Sequence, residues 1–153
     1  MKNKILVAFL ALFSVSLCFG ANGARYFSLD EAFETSEFKN SLDANIKYEF
    51  GSGSSANIIR SGFTARQGAY LKDVSLGVNG TPKPIELAEK MACQKALLKA
   101  LLRFERRAKK MGASKVVIII SYYHQTKFDD KNKFMCWMID DVARVSLQGD
   151  VAN

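Results

Sequence analysis

Pro84-Ile85-Glu86-Leu87-Ala88-Glu89-Lys90-Met91-Ala92-Cys93-Gln94-Lys95-Ala96-Leu97-Leu98-Lys99-Ala100-Leu101-Leu102-Arg103-Phe104-Glu105-Arg106-Arg107-Ala108-Lys109-Lys110-Met111-Gly112 is the stretch on which the fold turns. Pro84 has a φ already near the helical value and lacks the N–H that a first helical turn leaves unused, so it suits a helix start. From Ile85 to Met111 there is no Gly or Pro, and Ala, Leu, Lys, Arg and Glu dominate. Cys93, Leu97, Ala100, Phe104, Ala108 and Met111 recur at steps of three and four, which makes one apolar stripe. Gly112 then supplies the left-handed residue that ends a helix. The pattern predicts one long amphipathic helix.

Downstream, Val116-Val117-Ile118-Ile119-Ile120 is apolar on both faces, as a strand in a sheet interior should be. A strand is expected over Lys115–Gln125, a turn at Asp129-Asp130-Lys131-Asn132, and strands over Lys133–Asp140 and Ala143–Val151. Short links between successive strands predict antiparallel neighbours. Upstream, Ser28 and Glu31 form a capping box that opens a short helix from about Leu29 to Phe38. Ile46, Tyr48 and Phe50 alternate with Lys47 and Glu49, the mark of a strand with one wet face. Gly51–Ala56 is a Gly/Ser-rich break, followed by weak strand signals at Ile58–Thr64 and Tyr70–Leu76. The expected fold is α+β: a long helix packed on a small antiparallel sheet, preceded by a short helix and a strand.

Residues 1–23 read as a secretory leader. Lys2 and Lys4 precede the uncharged run Ile5–Phe19, and small residues follow it. The run is shorter than the roughly twenty residues that span a bilayer. Cleavage is expected after Gly20 or Gly23, leaving a single domain over 24–153 in the periplasm with no transmembrane span. Cys18 raises a lipid-anchored alternative, but Leu17 ahead of it is larger than lipid attachment prefers. The full chain carries 22 basic and 15 acidic residues, a net charge of +7. Without residues 1–20 it keeps 20 basic against 15 acidic, or +5. In an exported protein that balance points away from nucleic acid and toward anionic lipids, lipopolysaccharide or acidic proteins. Two cysteines remain, Cys93 on the helix stripe and Cys136 mid-strand. An even pair in an oxidising compartment favours a disulfide, with two buried thiols as the alternative.

Ala92-Cys93-Gln94, Arg107-Ala108-Lys109-Lys110-Met111-Gly112-Ala113, Val116-Val117, Ser121-Tyr122-Tyr123, Cys136 and Val145-x-Leu147-x-Gly149-Asp150-Val151 resemble a family of small exported bacterial proteins often labelled "excinuclease ATPase subunit". The resemblance covers about residues 85–152 and matches that family's paired cysteines to Cys93 and Cys136. More distantly, Gly112-Ala113-x-x-Val116-Val117 after a basic helix is similar to YbjQ-type heavy-metal-binding domains and to the globular domain of the Rcs-pathway stress-sensor lipoprotein. These relatives imply a helix on a sheet and an envelope location. A His-Gly-Ala-like run follows the second cysteine in the exported family, whereas Trp137-Met138-Ile139-Asp140 stands here. The ATPase label has no support in the residues. Gly51-Ser52-Gly53-Ser54-Ser55-Ala56-Asn57 has no lysine and no following helix, so it is not a phosphate cradle. No paired C-x-x-C zinc motif occurs either.

The strongest candidate site is the basic ridge Lys95, Lys99, Arg103, Arg106, Arg107 and Lys110, joined by Lys109 and opposed only by Glu105. It is either a solvated helix face or a docking surface for an anionic envelope component or an acidic protein. His124 is the only histidine, so the one metal arrangement the sequence offers is a weak hairpin site with Asp129 and Asp130. No nucleophile–base set is visible. Tyr122, Tyr123, Phe128, Phe134 and Trp137 cluster around the expected hairpin as cross-strand packing or a contact patch. The expected function is a non-enzymatic envelope binding or stress-response module with no cofactor. A heavy-metal-binding domain is the second reading and an uncatalogued hydrolase the third.

Overall fold

The computed structural model describes residues 21–153; residues 1–20, with Cys18 and most of the expected leader, lie outside the described residues. In chain order the elements are β1 (Gly23–Ser28), α1 (Leu29–Glu34), α2 (Ser36–Ser41), β2 (Lys47–Phe50) and β3 (Ile58–Tyr70). A 3-10 turn (Leu71–Asp73) leads to α3 (Ile85–Lys110), then β4 (Lys115–Tyr123), β5 (Thr126–Phe128), β6 (Lys133–Ile139) and β7 (Val142–Ala152). The α+β class holds, but the sheet is not small. Seven strands run in the order β1-β6-β7-β4-β2, with β3 on β7 and β5 on β4. Nor is it wholly antiparallel, since β2 pairs with β4 in parallel. Among the described residues, no helix is long and apolar enough to cross a membrane.

The long helix forms as its pattern predicts. Pro84 stands just ahead of it, and Gly112, at φ +64, follows its C-cap Met111. Ala88, Ala92, Ala96, Ala100 and Ala108 are all fully buried, a line of small side chains that lets the helix approach its neighbours closely. Phe104 breaks that line, and β7 makes room for it: a Cβ added to Gly149 would lie 3.4 Å from the Phe104 ring. Around them pack Leu97, Leu101, Val116, Ile119, Phe134 and Leu147, each at most 1 % exposed. Cys93 and Cys136, on α3 and β6, meet in this interface at bonding distance, S–S 2.08 Å with Cα atoms 5.8 Å apart.

Several expectations need correction. Of the three expected C-terminal strands, β6 and β7 are antiparallel neighbours as expected, but β4 pairs with β7 rather than with β6. One edge of β7 pairs with β3 along its length. The other is divided end to end, with Val142–Arg144 against β6 and Leu147–Ala152 against β4. An eleven-residue strand is long enough to take two partners, so β6 and β4 form no ladder and touch through side chains, with Met135 N–H donating to Ser121 Oγ at 3.0 Å and Tyr123 stacked on Trp137. The expected strand Lys115–Gln125 ends at Tyr123, and a tight turn at His124–Gln125 returns it as β5. The single helix over 29–38 is two helices. Thr35 takes an extended backbone, accepts from Phe38 N–H and donates to Ala32 O, local bonds that compete with helix continuation. The two weak strand signals over 58–76 become one strand that stops at Tyr70, and the part after it forms no strand. β1 is an unforeseen strand. It pairs with β6 in antiparallel register and is tied to α3 by a forked ion pair from Arg25 to Glu89 at 2.9 Å.

Two bulges reset the side-chain phase of their strands. Ile118 has φ 53, a left-handed value rare for a β-branched residue, and the register against β7 shifts there. Val116 and Ile119, three apart, consequently both join the core beneath the helix. In β3 the register slips between Arg60 and Phe63, where Gly62 has φ +80 and its N–H donates to Asp150 Oδ1 at 2.9 Å. Strict alternation would send Arg60 and Phe63 to opposite faces. The bulge puts the Arg60 guanidinium 6.0 Å from the centre of the Phe63 ring.

Candidate functional site: a cationic groove between α3 and β3

The basic ridge of α3 does not face open solvent along its whole length. Its C-terminal part borders a groove of about 600 Å³ whose far wall is β3. Arg103, Arg106, Arg107 and Lys110 form the helix side, and Phe63 and Thr64 the strand side. Arg107 lies with its guanidinium carbon 5.1 Å from the centre of the Phe63 ring, which therefore has two arginines against it. Such cation–π contacts hold a guanidinium in place while leaving its N–H groups free to bind.

The charge environment separates this groove from an ordinary helix surface. Six ion pairs form among the described residues, and none involves Arg60, Arg103, Arg106, Arg107 or Lys110. Five cations gathered without a carboxylate partner repel one another and raise a local positive potential. Guanidinium forks are suited to carboxylate and phosphate, which they bind with two parallel hydrogen bonds.

The remaining predicted cations separate from this group. Lys99 donates from Nζ to Gly68 O at 3.1 Å, closing part of the β3 edge, and Lys95 lies outside the groove. Lys109 and Glu105 belong to another flank of the helix, so Glu105 does not offset the ridge. The nearly buried Glu105 carboxylate accepts from Asp43 N–H at 2.9 Å, Tyr48 Oη at 3.0 Å and Lys109 Nζ at 2.8 Å. Lys109 also pairs with Asp43 at 2.9 Å. Burial pushes the Glu105 carboxyl up, but the Asp43 N–H, the Lys109 ammonium and the Tyr48 hydroxyl outweigh it and hold it below the usual range. The Lys109 ammonium, then the Asn45 N–H, lowers Asp43 to about 2. Burial, then the charge of Glu105, pushes the Tyr48 phenol above its ordinary value. This network fastens the α2–β2 segment to α3 and leaves no unpaired charge facing outward. It is a structural lock.

The suggested hairpin metal site does not assemble. His124 packs edge-on against Tyr123, with centroids 4.3 Å apart. Asp129 accepts from Ser52 N–H at 2.8 Å, and Asp130 accepts from Asn132 and Lys133 N–H. Among the described residues, no three His, Cys, Asp or Glu side chains are grouped to hold a metal ion.

Phe63 and Thr64 are groove-lining residues that the sequence did not reveal, and Arg60 joins them only through its contact with the Phe63 ring. Ser61 and Gly62 interrupt the alternation of β3, and only the resulting bulge brings Arg60 and Phe63 together. An arginine and an aromatic three residues apart, with glycine between them, were the available signal. No protein-family model, curated protein or solved structure matches this chain.

Proposed function

We propose that this chain is an exported, non-enzymatic binding module of the bacterial envelope that docks an oxyanion-bearing partner in the α3–β3 groove. The observation that carries this reading is the group of unpaired cations Arg103, Arg106, Arg107 and Lys110 lining the groove, with Arg60 and Arg107 against the Phe63 ring. The layout of the leader and the joined cysteines support export. Contacts of the first described residues favour the earlier cleavage point. Ala21 O accepts from Arg25 and Asn22 Oδ1 accepts from Asp140 N–H, bonds that a cut after Gly20 keeps and a cut after Gly23 removes.

The test compares the mature protein with an Arg103→Glu/Arg106→Glu variant at low salt. The probes are phosphatidylglycerol vesicles, phosphatidylcholine vesicles and poly-glutamate. Binding to phosphatidylglycerol assigns a lipid phosphate, and binding to poly-glutamate an acidic protein. At about 1 kcal/mol per basic residue near an anionic surface, the double reversal should weaken either by at least about thirtyfold. Equal binding by the two proteins would overturn the groove.

A further inference from the structure

A second cleft of about 600 Å³ lies where β3, β7 and the β4–β5 turn converge, bordered by none of the groove residues. Its cations come from neighbouring strands. Arg66 stands opposite Ser146 and Arg144 opposite Gly68, so Arg66 and Arg144 are diagonal neighbours on one face of the sheet. Diagonal neighbours have Cβ atoms roughly 7–8 Å apart, a span that two guanidiniums close onto one oxyanion. Gly68 presents no side chain opposite Arg144, and a Cβ added there would lie 3.4 Å from Ala143 O and Val142 Cγ1. Both arginines are exposed, and neither takes part in an ion pair among the described residues.

The rest of the lining is aromatic and amide-bearing. Tyr122, Tyr123 and Gln125 border one side of the space, whereas Gln67, paired with core Val145, directs its side chain to the opposite face from Arg66. Tyr123 is stacked on Trp137, the only tryptophan, with centroids 5.5 Å apart. Two buried polar atoms on this side of the sheet lack a hydrogen-bond partner in the structure: Ser146 Oγ and Trp137 Nε1. Ser146 is only 2 % exposed and is the cross-strand partner of Arg66, while Trp137 is the partner of Arg144. Neither residue lines the cleft itself, so these atoms lie in the polar layer beside the arginines rather than at its surface. The turn at this edge, His124–Gln125, has φ 45 and 63, the two-residue hairpin geometry that Asp140–Asp141 also adopt between β6 and β7.

We infer that this cleft binds a small sugar carrying an oxyanion, with the carboxylate or phosphate between Arg66 and Arg144 and the ring against the Tyr122–Tyr123 wall. Aromatic rings pack on the C–H faces of sugars. The Gln125 amide can both donate and accept, as hydroxyl groups do. The volume falls within the roughly 300–1,000 Å³ of small-molecule pockets.

Trp137 fluorescence reports on the site through its stack on Tyr123, which lines the cleft. The mature protein is titrated with glucuronate, glucose 6-phosphate, glucose and inorganic phosphate, with parallel calorimetry. A saturable response to either charged sugar, and a much weaker one to glucose and to phosphate, is expected. Whichever sugar binds identifies the oxyanion. Arg66→Gln and Arg144→Gln should each weaken binding by about tenfold or more, while the Arg103→Glu/Arg106→Glu variant keeps it. Thermal midpoints of all variants establish that they fold. No response to either charged sugar by both methods would overturn the inference, as would phosphate binding as tightly as the sugars. Loss of binding in the groove variant but not in Arg66→Gln would also overturn it.

Discussion

Reducing the Cys93–Cys136 bond perturbs the fold without changing a residue. The bond closes a loop with a sequence separation of 43. In the chain-entropy model a cross-link of that span removes enough freedom from the unfolded chain to stabilise the fold by about 4 kcal/mol. Small domains are stable by only about 5–15 kcal/mol, so this is a large share. With a urea slope of about 1.5 kcal/mol/M, the unfolding midpoint should fall by about 2–3 M on reduction. The slope itself should rise, because the opened chain exposes more surface. A Cys93→Ala/Cys136→Ala variant should fall slightly further, since both positions are fully buried and each loses a sulfur atom from a packed interface. The assay is urea unfolding followed by far-UV circular dichroism, with and without reductant, plus thiol titration of the denatured protein. A midpoint that moves by less than about 0.5 M, together with two thiols that titrate before any reductant is added, would refute the cross-link.

Glu105→Gln should cost about 1–3 kcal/mol in urea unfolding, because Lys109, Tyr48 and the Asp43 N–H lose their charged acceptor in a nearly buried position. Acid should destabilise the same network. Asp43 is lowered from 3.8 to about 2 and Glu105 is also depressed, so their contribution is complete above the unfolded values and is lost as pH falls through the folded ones. Stability measured from pH 6 down to pH 2 should therefore decline below about pH 4, and Lys109→Met should flatten that decline; an unchanged slope in the variant would count against the lock. Gly62→Ala should cost about 1–2 kcal/mol from the left-handed backbone alone, since no atom lies within 4 Å of the added Cβ. If the bulge relaxes instead, Phe63 should lose its place between Arg60 and Arg107, and phosphatidylglycerol binding should fall with it.

Why some of this was legible and the rest hidden follows from particular residues. The limits of α3 were readable because Pro84 and Gly112 act through backbone geometry that needs no partner. Its buried face was readable because Cys93, Leu97, Phe104 and Ala108 repeat with the helical period. The strand at Lys47–Phe50 showed its wet face by simple alternation. Thr35 was less readable, because a threonine inside a helical pattern either continues it or caps it, and only the packing of Phe38 shows which. The groove was half legible: Arg103, Arg106, Arg107 and Lys110 are neighbours along the chain, whereas Phe63 and Arg60 are forty residues away. The cleft at Arg66 and Arg144 was not legible at all, since each is one arginine in an unremarkable strand.

The chain by itself determined its helix, the face that helix buries and the cysteines available to each other, because periodicity and local backbone preference are properties of adjacent residues. Only the tertiary structure decided that β7 would divide one edge between β6 and β4, and that β3 would supply the far walls of both the groove and the cleft. Alternation tells which face a strand residue occupies, but it carries no information about which strand lies alongside. The bulges at Gly62 and Ile118 also reverse that phase partway along, and their effect exists only once the partner strand is in place.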